Sequence, residues 1–412
     1  MAEGRSLTYT QLAELADRTA RRLAACGVGV GDRVAVLLPP GVDFAATLHA
    51  LIRLGAVLVP VNTRLSADER AWVIEDSGTF LVLDQPVEGD EADVELLLEI
   101  DPDAPHCVIY TSGTTARPKP VVLTYANHLA SARASAAHLG VEPDDVWLGV
   151  LPLFHVGGLQ VLLRSAIYGT TAVIEPGFDV DRVRALLEGG QVTLASFVPT
   201  MVQRLREAGW ASAPRLRAAL IGGGPVPGEL LAWAAERGLP LLATYGMTET
   251  ASQIITAAGP GSGARPLPGV ELTTAPDGEL LVRGPMVAAG ALAGDGWLHT
   301  GDRGHVDDQG FVHVEGRIDD TIITGGENVA AAEVEAALLS HPAVRDAGVV
   351  GRPDPEWGQI VVAYVVADGV SDTALLAHAR ERLAGYKLPK EIQRRAELPR
   401  NAAGKLVRRR LK

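Results

Sequence analysis

Residues Tyr110 to Pro120 read YTSGTTARPKP. Thr111, Ser112, Thr114 and Thr115 surround Gly113, and Lys119 follows four residues after Thr115. Small residues let backbone N–H groups approach phosphate oxygens, hydroxyls add donors, and an ammonium adds charge. The spacing is not G-x-x-x-x-G-K-[ST], so this is no Walker A loop. On composition alone the segment reads equally well as a polar connection. LIGGGPVP (Leu220 to Pro227) is a second glycine turn, with Gly222, Gly223 and Gly224 behind an apolar run.

These residues need elements to carry them. TYTQLAELADRTARRLAACG has helical periodicity and stops at Gly27, RVAVLLP reads as a strand, VDFAATLHALIRLG as a helix and AVLVPV as a strand. SADERAWVIEDSG opens with Ser66 and Glu69 in capping-box spacing. The alternation resumes at CVIYT and continues through WLGVLP, TAVIE, TLASF, AALIG and LLATY. Strand after helix after strand predicts an α/β fold with mainly parallel, helix-covered sheets. The hydroxyl-rich loop is expected between the strand at Cys107–Tyr110 and a helix from about Thr124. The acidic stretch from Gln85 to Pro105 reads as a surface excursion. From about Gly269 the helices vanish and PDG and DDQG mark turns between short strands, a β-rich subdomain over about 269–317. GRIDD then separates an N-terminal domain, 1–317, from a small α+β domain, 318–412.

The net charge of −13 excludes nucleic acid as a general partner, so a polyanionic ligand must be held by local cations and N–H groups. The apolar run LHALIRLGAVLVPV is broken by Arg53 and closed by Pro60, so no membrane span is expected. MAEGRSLTYT lacks the basic start and apolar run of a secretory signal. Cys26 and Cys107 have no disulfide or zinc spacing, which suits a reducing cytoplasm.

The loop resembles the signature T-S-G-T-T-G-x-P-K-G of the acyl-adenylate-forming enzymes, a family of acyl-CoA synthetases, luciferases and peptide-synthetase adenylation domains. Ala116 and Pro120 stand where that signature has glycine. LIGGGPVP, ATYGMTET, HTGD, GRIDDTIITGGENV and PRNAAGKLVRRRL follow in the family's order over nearly the whole chain. The resemblance implies ATP, Mg²⁺ and coenzyme A as cofactors and a mobile C-terminal lid. It places Tyr245, with Gly246 and Met247, at the adenine, Thr248 on the α-phosphate and Glu249 on Mg²⁺. Asp302 and Arg317 fall at the ribose, Asp319 at the hinge, and Gly325 and Gly326 along the pantetheine arm. Lys405 becomes the catalytic lysine, acting with Lys119. Trp357 of PDPEWGQ is a candidate for the CoA approach, or a half-buried core residue.

LPLFHVGGL carries His155 ahead of a helix, where aryl-CoA ligases of the family have a pocket histidine, and YGMTETASQI extends the motif through Ser252. This pattern resembles the branch that activates o-succinylbenzoate for menaquinone biosynthesis. Such an acid has a second carboxylate needing a cation or donors in an apolar pocket. Arg164, in VGGLQVLLRSAIYG, is the candidate, against a reading in which it snorkels to the surface. The alternatives are an aryl- or fatty-acyl-CoA ligase of other specificity, and a nucleotide-binding protein with impaired chemistry. A homodimer is the oligomer allowed for.

Overall fold

A computed structural model describes residues 4–111, 118–324, 327–355, 357–401 and 404–411. The first helix, Tyr9–Ala25, is closed at its start by Thr8, whose side chain accepts from the Gln11 N–H. The capping box at Ala67–Asp76 forms, with Ser66 N–H donating to Glu69 Oε2 at 2.8 Å. Each such cap is worth about 1 kcal/mol to its helix.

Four sheets are built. The first has five strands in the order Leu81–Leu83, Arg33–Val36, Val57–Pro60, Pro105–Thr111, Lys119–Thr124. Its first four strands are parallel, and the last is antiparallel to Pro105–Thr111 with Thr111 opposite Lys119. This corrects one expectation. The hydroxyl-rich loop joins two strands, and the helix Tyr125–Leu139 begins only after the second. Lys119 and Pro120 therefore belong to a strand. Pro120 is tolerated because that strand is the sheet's edge and has no further ladder to donate to.

The second sheet has seven strands, in the order Ala264–Pro266, Ser252–Ala257, Leu241–Met247, Ala218–Ile221, Leu194–Phe197, Val146–Gly149, Thr171–Ile174. The last five are parallel and the first two run antiparallel. Near-continuous apolar strands such as Ala218–Ile221 are buried on both faces, as helix-covered parallel sheets require. A four-stranded antiparallel sheet follows: Glu271–Thr274, Glu279–Arg283, Leu298–Val306 and Val312–Arg317. Beyond a 3₁₀ turn at Ile318–Asp320, a fourth sheet holds Glu327–Ala330, Thr321–Thr324, Gly358–Ala367 and Val344–Asp354, with Glu391–Arg394 along Gly358–Ala367.

The acidic stretch is more anchored than a plain surface excursion. Leu96 is buried, and the Arg53 guanidinium donates to the Leu97 carbonyl. One core packs Leu48, Leu51 and Leu58 of the first sheet region against Leu159 and Leu163 of the helix Val156–Tyr168. Each fully buried leucine contributes about 1.5–3 kcal/mol. That helix is thus fixed by the core on one side and free to present polar residues on the other.

Candidate active site

The helix Val156–Tyr168 forms one wall of a cavity of about 490 Å³. It docks tightly on the loop before it, since a Cβ at Gly158 would lie 2.3 Å from the Pro152 carbonyl oxygen. His155 occupies the N-cap position without capping through its side chain, so the imidazole is free to line the cavity. Burial, with help from Arg64, pushes that imidazole down to about 4. It is neutral at pH 7, and its buried Nε2 has no partner among the described residues.

Gln160 and Arg164 are four residues apart and share a helix face. Arg164 is only 1% exposed, which removes the snorkelling alternative. Its Nη1 donates to Gln253 Oε1 at 3.0 Å and its Nη2 to Ser131 Oγ at 2.9 Å. Its Nε is buried without a partner, and the Trp147 ring lies 5.8 Å from the guanidinium carbon. Among the described residues no carboxylate pairs with it, and burial pushes it down to about 10. A buried cation in a cavity wall, hydrogen-bonded to neutral groups, carries a desolvation cost that an incoming anion would relieve.

The opposite wall is backbone at close quarters. A Cβ at Gly222 would meet Thr244 Oγ1 at 2.5 Å, and one at Gly246 would meet the Ser252 carbonyl oxygen at 2.1 Å. Gly223, Met247, Thr248 and Ser252 line the same cavity, while Gly224 lies in the turn beside it. The turn Thr248–Thr250 is held by Thr250 Oγ1, which accepts from the Met247 N–H and donates its one proton to the Ser252 carbonyl, and by the Ala288 N–H on the Glu249 carbonyl. Ala251 and Ser252 take φ of +52° and +135°. Such conformations in residues with a Cβ cost about 1–3 kcal/mol and cluster at working sites. The half-buried Glu249 carboxylate has no ion-pair partner among the described residues, which suits a hard cation. The strand Lys119–Thr124 packs on this turn.

Tyr245 donates to Asp302 Oδ2 at 2.6 Å, and Arg317 Nη1 reaches Asp302 Oδ1 at 3.4 Å and the Thr300 carbonyl at 2.7 Å. Burial, then the adjacent Asp302 carboxylate, raises the Tyr245 phenol above its ordinary value. The small lobe closes the cavity with Asn401 and Gly404. Gly404 has φ +77°, and a Cβ there would stand 3.4 Å from Thr200 Oγ1. Lys405 is exposed, yet desolvation by the surrounding protein lowers its pKa. Arg317 acts in the same sense, while Asp302 and Asp320 oppose both. Arg408 anchors this segment on Asp320 and Glu335, each at 2.6 Å.

Other expected residues lie elsewhere. Asp319 is exposed in the 3₁₀ turn between the third and fourth sheets. Trp357 is 38% exposed on the small lobe, under the Lys390 ammonium at 3.3 Å from its ring centre, so it is no core residue, and it does not line the cavity. Thr111 ends its strand. Ser112, Gly113, Thr114, Thr115, Gly325 and Gly326 lie outside the described residues. Arg64, Gln160 and Thr244 line the cavity and Ser131 bonds Arg164, though none was singled out from sequence, whereas Gln253 and Asn401 were read there as motif positions without a role of their own. The i, i+4 spacing of Gln160 and Arg164 on an apolar helix was the one available signal.

The family description AMP-binding enzyme matches residues 1–99 and 84–292, and AMP-binding enzyme C-terminal domain matches 333–405. The chain belongs to the AMP-binding enzymes. It is 40% identical to a 2-succinylbenzoate–CoA ligase of Bacillus cereus strain Q1 over 452 aligned positions, covering 100% of this chain and 94% of that one. Among solved structures it is similar to o-succinylbenzoate CoA synthetase (MenE) from Bacillus subtilis in complex with the acyl-adenylate intermediate OSB-AMP. There the TM-score is 0.93 and the identity 38%, over 100% of this chain and 94% of that one. The same synthetase with ATP and magnesium ion gives a TM-score of 0.91 at 38% identity, over 100% and 95% of the two chains. Among the described residues no helix is long and apolar enough to cross a membrane.

Proposed function

We propose that this AMP-binding enzyme ligates o-succinylbenzoate to coenzyme A through an acyl-adenylate. One observation carries the choice of acid: the buried Arg164 guanidinium in the cavity wall, with no carboxylate among the described residues to neutralise it. A fatty acyl chain has no use for such a charge, whereas an aromatic acid with a spare carboxylate does.

In the first half-reaction the succinyl carboxylate, ionised at pH 7, attacks the α-phosphorus of ATP. The new bond joins a carboxylate oxygen to the α-phosphorus, and the α-phosphorus–oxygen bond to pyrophosphate breaks with its electron pair leaving on the pyrophosphate oxygen. No general base is needed. The obstacle is bringing an anion to a polyanion, so the work is positioning and charge neutralisation. We assign Thr248 to the α-phosphate, Lys119 with Thr111, Ser112, Gly113, Thr114 and Thr115 to the outer phosphates, and Lys405 to the charge developing at phosphorus. Tyr245, Gly246, Met247, Gly223 and Gly224 frame the adenine, and the Asp302–Arg317 pair holds the ribose. Mg²⁺, which Glu249 would hold, supplies further neutralisation of the phosphates. His155, neutral and apolar-faced, with Gly222 and Ser252, shapes the aryl pocket.

In the second half-reaction the CoA thiol sulfur forms a bond to the acyl carbon, and AMP leaves with the C–O electron pair. Lys405 must withdraw first. We place the division of the chain at 317/318, with Asp319 as pivot, and the pantetheine path along Gly325, Gly326 and Trp357. Two free cysteines and the supply of ATP and CoA favour the cytoplasm. A homodimer is compatible with the fold, and light scattering decides it.

The test is a panel of carboxylic acids incubated with ATP, Mg²⁺ and CoA, scored by pyrophosphate release and mass spectrometry of the thioester. o-Succinylbenzoate should give the highest kcat/KM. Preference for a monocarboxylic aryl or fatty acid refutes the acid assignment, and nucleotide binding without pyrophosphate release refutes the chemistry.

A further inference from the structure

A chain of buried polar groups connects Arg164 to the strained turn behind Glu249. Ser131, Gln160, Arg164 and His128 are each 3% exposed or less. Their hydrogen-bond directions are dictated by donor inventory. Arginine can only donate, so Arg164 Nη2–H points at Ser131 Oγ, and the Ser131 hydroxyl must spend its own proton elsewhere. The acceptor within reach is the Ala251 carbonyl oxygen, at 3.2 Å. Gln160 Nε2 donates to that same oxygen at 2.7 Å and, with its other proton, to His128 Nδ1 at 2.9 Å.

The far end of the chain is equally determined. With Nδ1 accepting, neutral His128 carries its proton on Nε2 and directs it to Cys107 Sγ, 3.3 Å away. Burial holds His128 well below the ordinary histidine range and keeps it neutral. His106, Cys107 and His128 place their donor atoms within 4.8 Å of one another. That tautomer leaves His128 Nε2 no lone pair for a cation, so the cluster is a support and not a metal site.

The arrows from both sides converge on one atom, the Ala251 carbonyl oxygen. Ala251 sits at φ +52°, its N–H bonded to the Thr248 carbonyl at 3.0 Å. The peptide that follows Thr248 and Glu249 is therefore held in its costly conformation by Ser131 and Gln160. We infer that Ser131 and Gln160 are positioning residues that couple occupancy of the Arg164 anion site to the geometry of the Thr248–Glu249 turn. Carboxylate binding fixes the guanidinium, the guanidinium fixes the Ser131 hydroxyl, and that hydroxyl fixes the turn meeting the nucleotide. The inference rests on the proposed acid site and adds a link between it and the phosphates.

The two ligands are both anions, so direct electrostatics alone disfavours binding them together. Only a structural link makes their binding cooperative, and such coupling is reciprocal. The experiment is calorimetric titration of α,β-methylene ATP with Mg²⁺, with and without saturating o-succinylbenzoate, so that no turnover occurs. In the unaltered enzyme the acid should tighten the analogue about tenfold. In Ser131→Ala, and independently in Gln160→Met, that factor should fall to about one or below, read as the ratio of each variant's own analogue affinities with and without the acid, with thermal midpoints retained.

A coupling factor near one in the unaltered enzyme, or a tenfold factor surviving in Ser131→Ala, overturns the inference. Arg164→Met separates this from failure of the underlying site. Undiminished acid binding there refutes the site itself. Lost acid binding there, with no coupling in the unaltered enzyme, refutes the link alone.

Discussion

Arg164→Met is the perturbation most directly set by the structure. Arg164 is pushed from 12.5 to about 10 by burial, which corresponds to about 3 kcal/mol of discomfort for the charged form at 1.36 kcal/mol per pH unit. The free enzyme carries that cost. A substrate carboxylate relieves it through charge-assisted hydrogen bonds worth about 1.5–3 kcal/mol. Removing the guanidinium should therefore raise KM for o-succinylbenzoate by about 10- to 150-fold, with ATP affinity altered little. The assay is steady-state pyrophosphate release, run beside 4-oxo-4-phenylbutanoate, the analogue lacking the ring carboxylate. That analogue should be a poor substrate for the parent enzyme and should lose nothing further in Arg164→Met. Stability should be nearly unchanged, because methionine fills much of the volume and removes a buried charge, offsetting the lost bonds to Gln253 and Ser131. Equal losses for both acids, or a KM change below about threefold, refute the reasoning.

Lys405→Ala should lower the adenylation rate by about 10²–10³ with ATP binding nearly intact, checked by pyrophosphate exchange beside a binding titration. Desolvation lowers the Lys405 pKa and the protonated form is the useful one, so adenylation should decline on the alkaline side below 10.5, and Lys405→Arg should move that decline upward. Gly246→Ala forces a Cβ to within 2.1 Å of the Ser252 carbonyl oxygen, so the strand or the turn must shift and kcat should fall more than about 10²-fold; activity near the parent level would contradict the close approach. His106, His128 and His155 are buried neutral, His106 near 3 and His155 near 4. As pH falls through 6.5 the unfolded chain takes up protons that the folded protein refuses, so stability falls as pH falls, by about 4 kcal/mol in all between pH 7.5 and 5.5 for the three together. Urea unfolding at pH 7.5 and 5.5 should show the lower midpoint at 5.5, and coincident curves would exclude it.

Periodicity and capping residues made the helices and parallel strands legible, because their signals are local. The Ser66–Glu69 box and the PDG hairpin needed no tertiary information. The strand Lys119–Thr124 was hidden by its own chemistry. Lys119 and Pro120 read as loop residues, and only their place on a sheet edge makes them a strand. Arg164 could be named from one charge in an apolar helix, but its partners could not. Ser131 and Gln253 are 33 and 89 positions away, on elements brought together only by the packed core. Asn401 and Gly404 were legible as a motif, yet their role as cavity wall depends on how the two lobes meet.

That shared wall has a chemical consequence. Asn401 and Gly404 line the cavity together with residues of the large lobe, so its wall is built from both lobes. Under the proposed function, a mixed anhydride made there is reactive toward water, and parting of the lobes would expose it. On that reading one motion governs both storage and release. In the absence of thiol, the slow appearance of free AMP reads out how often the vessel opens by chance.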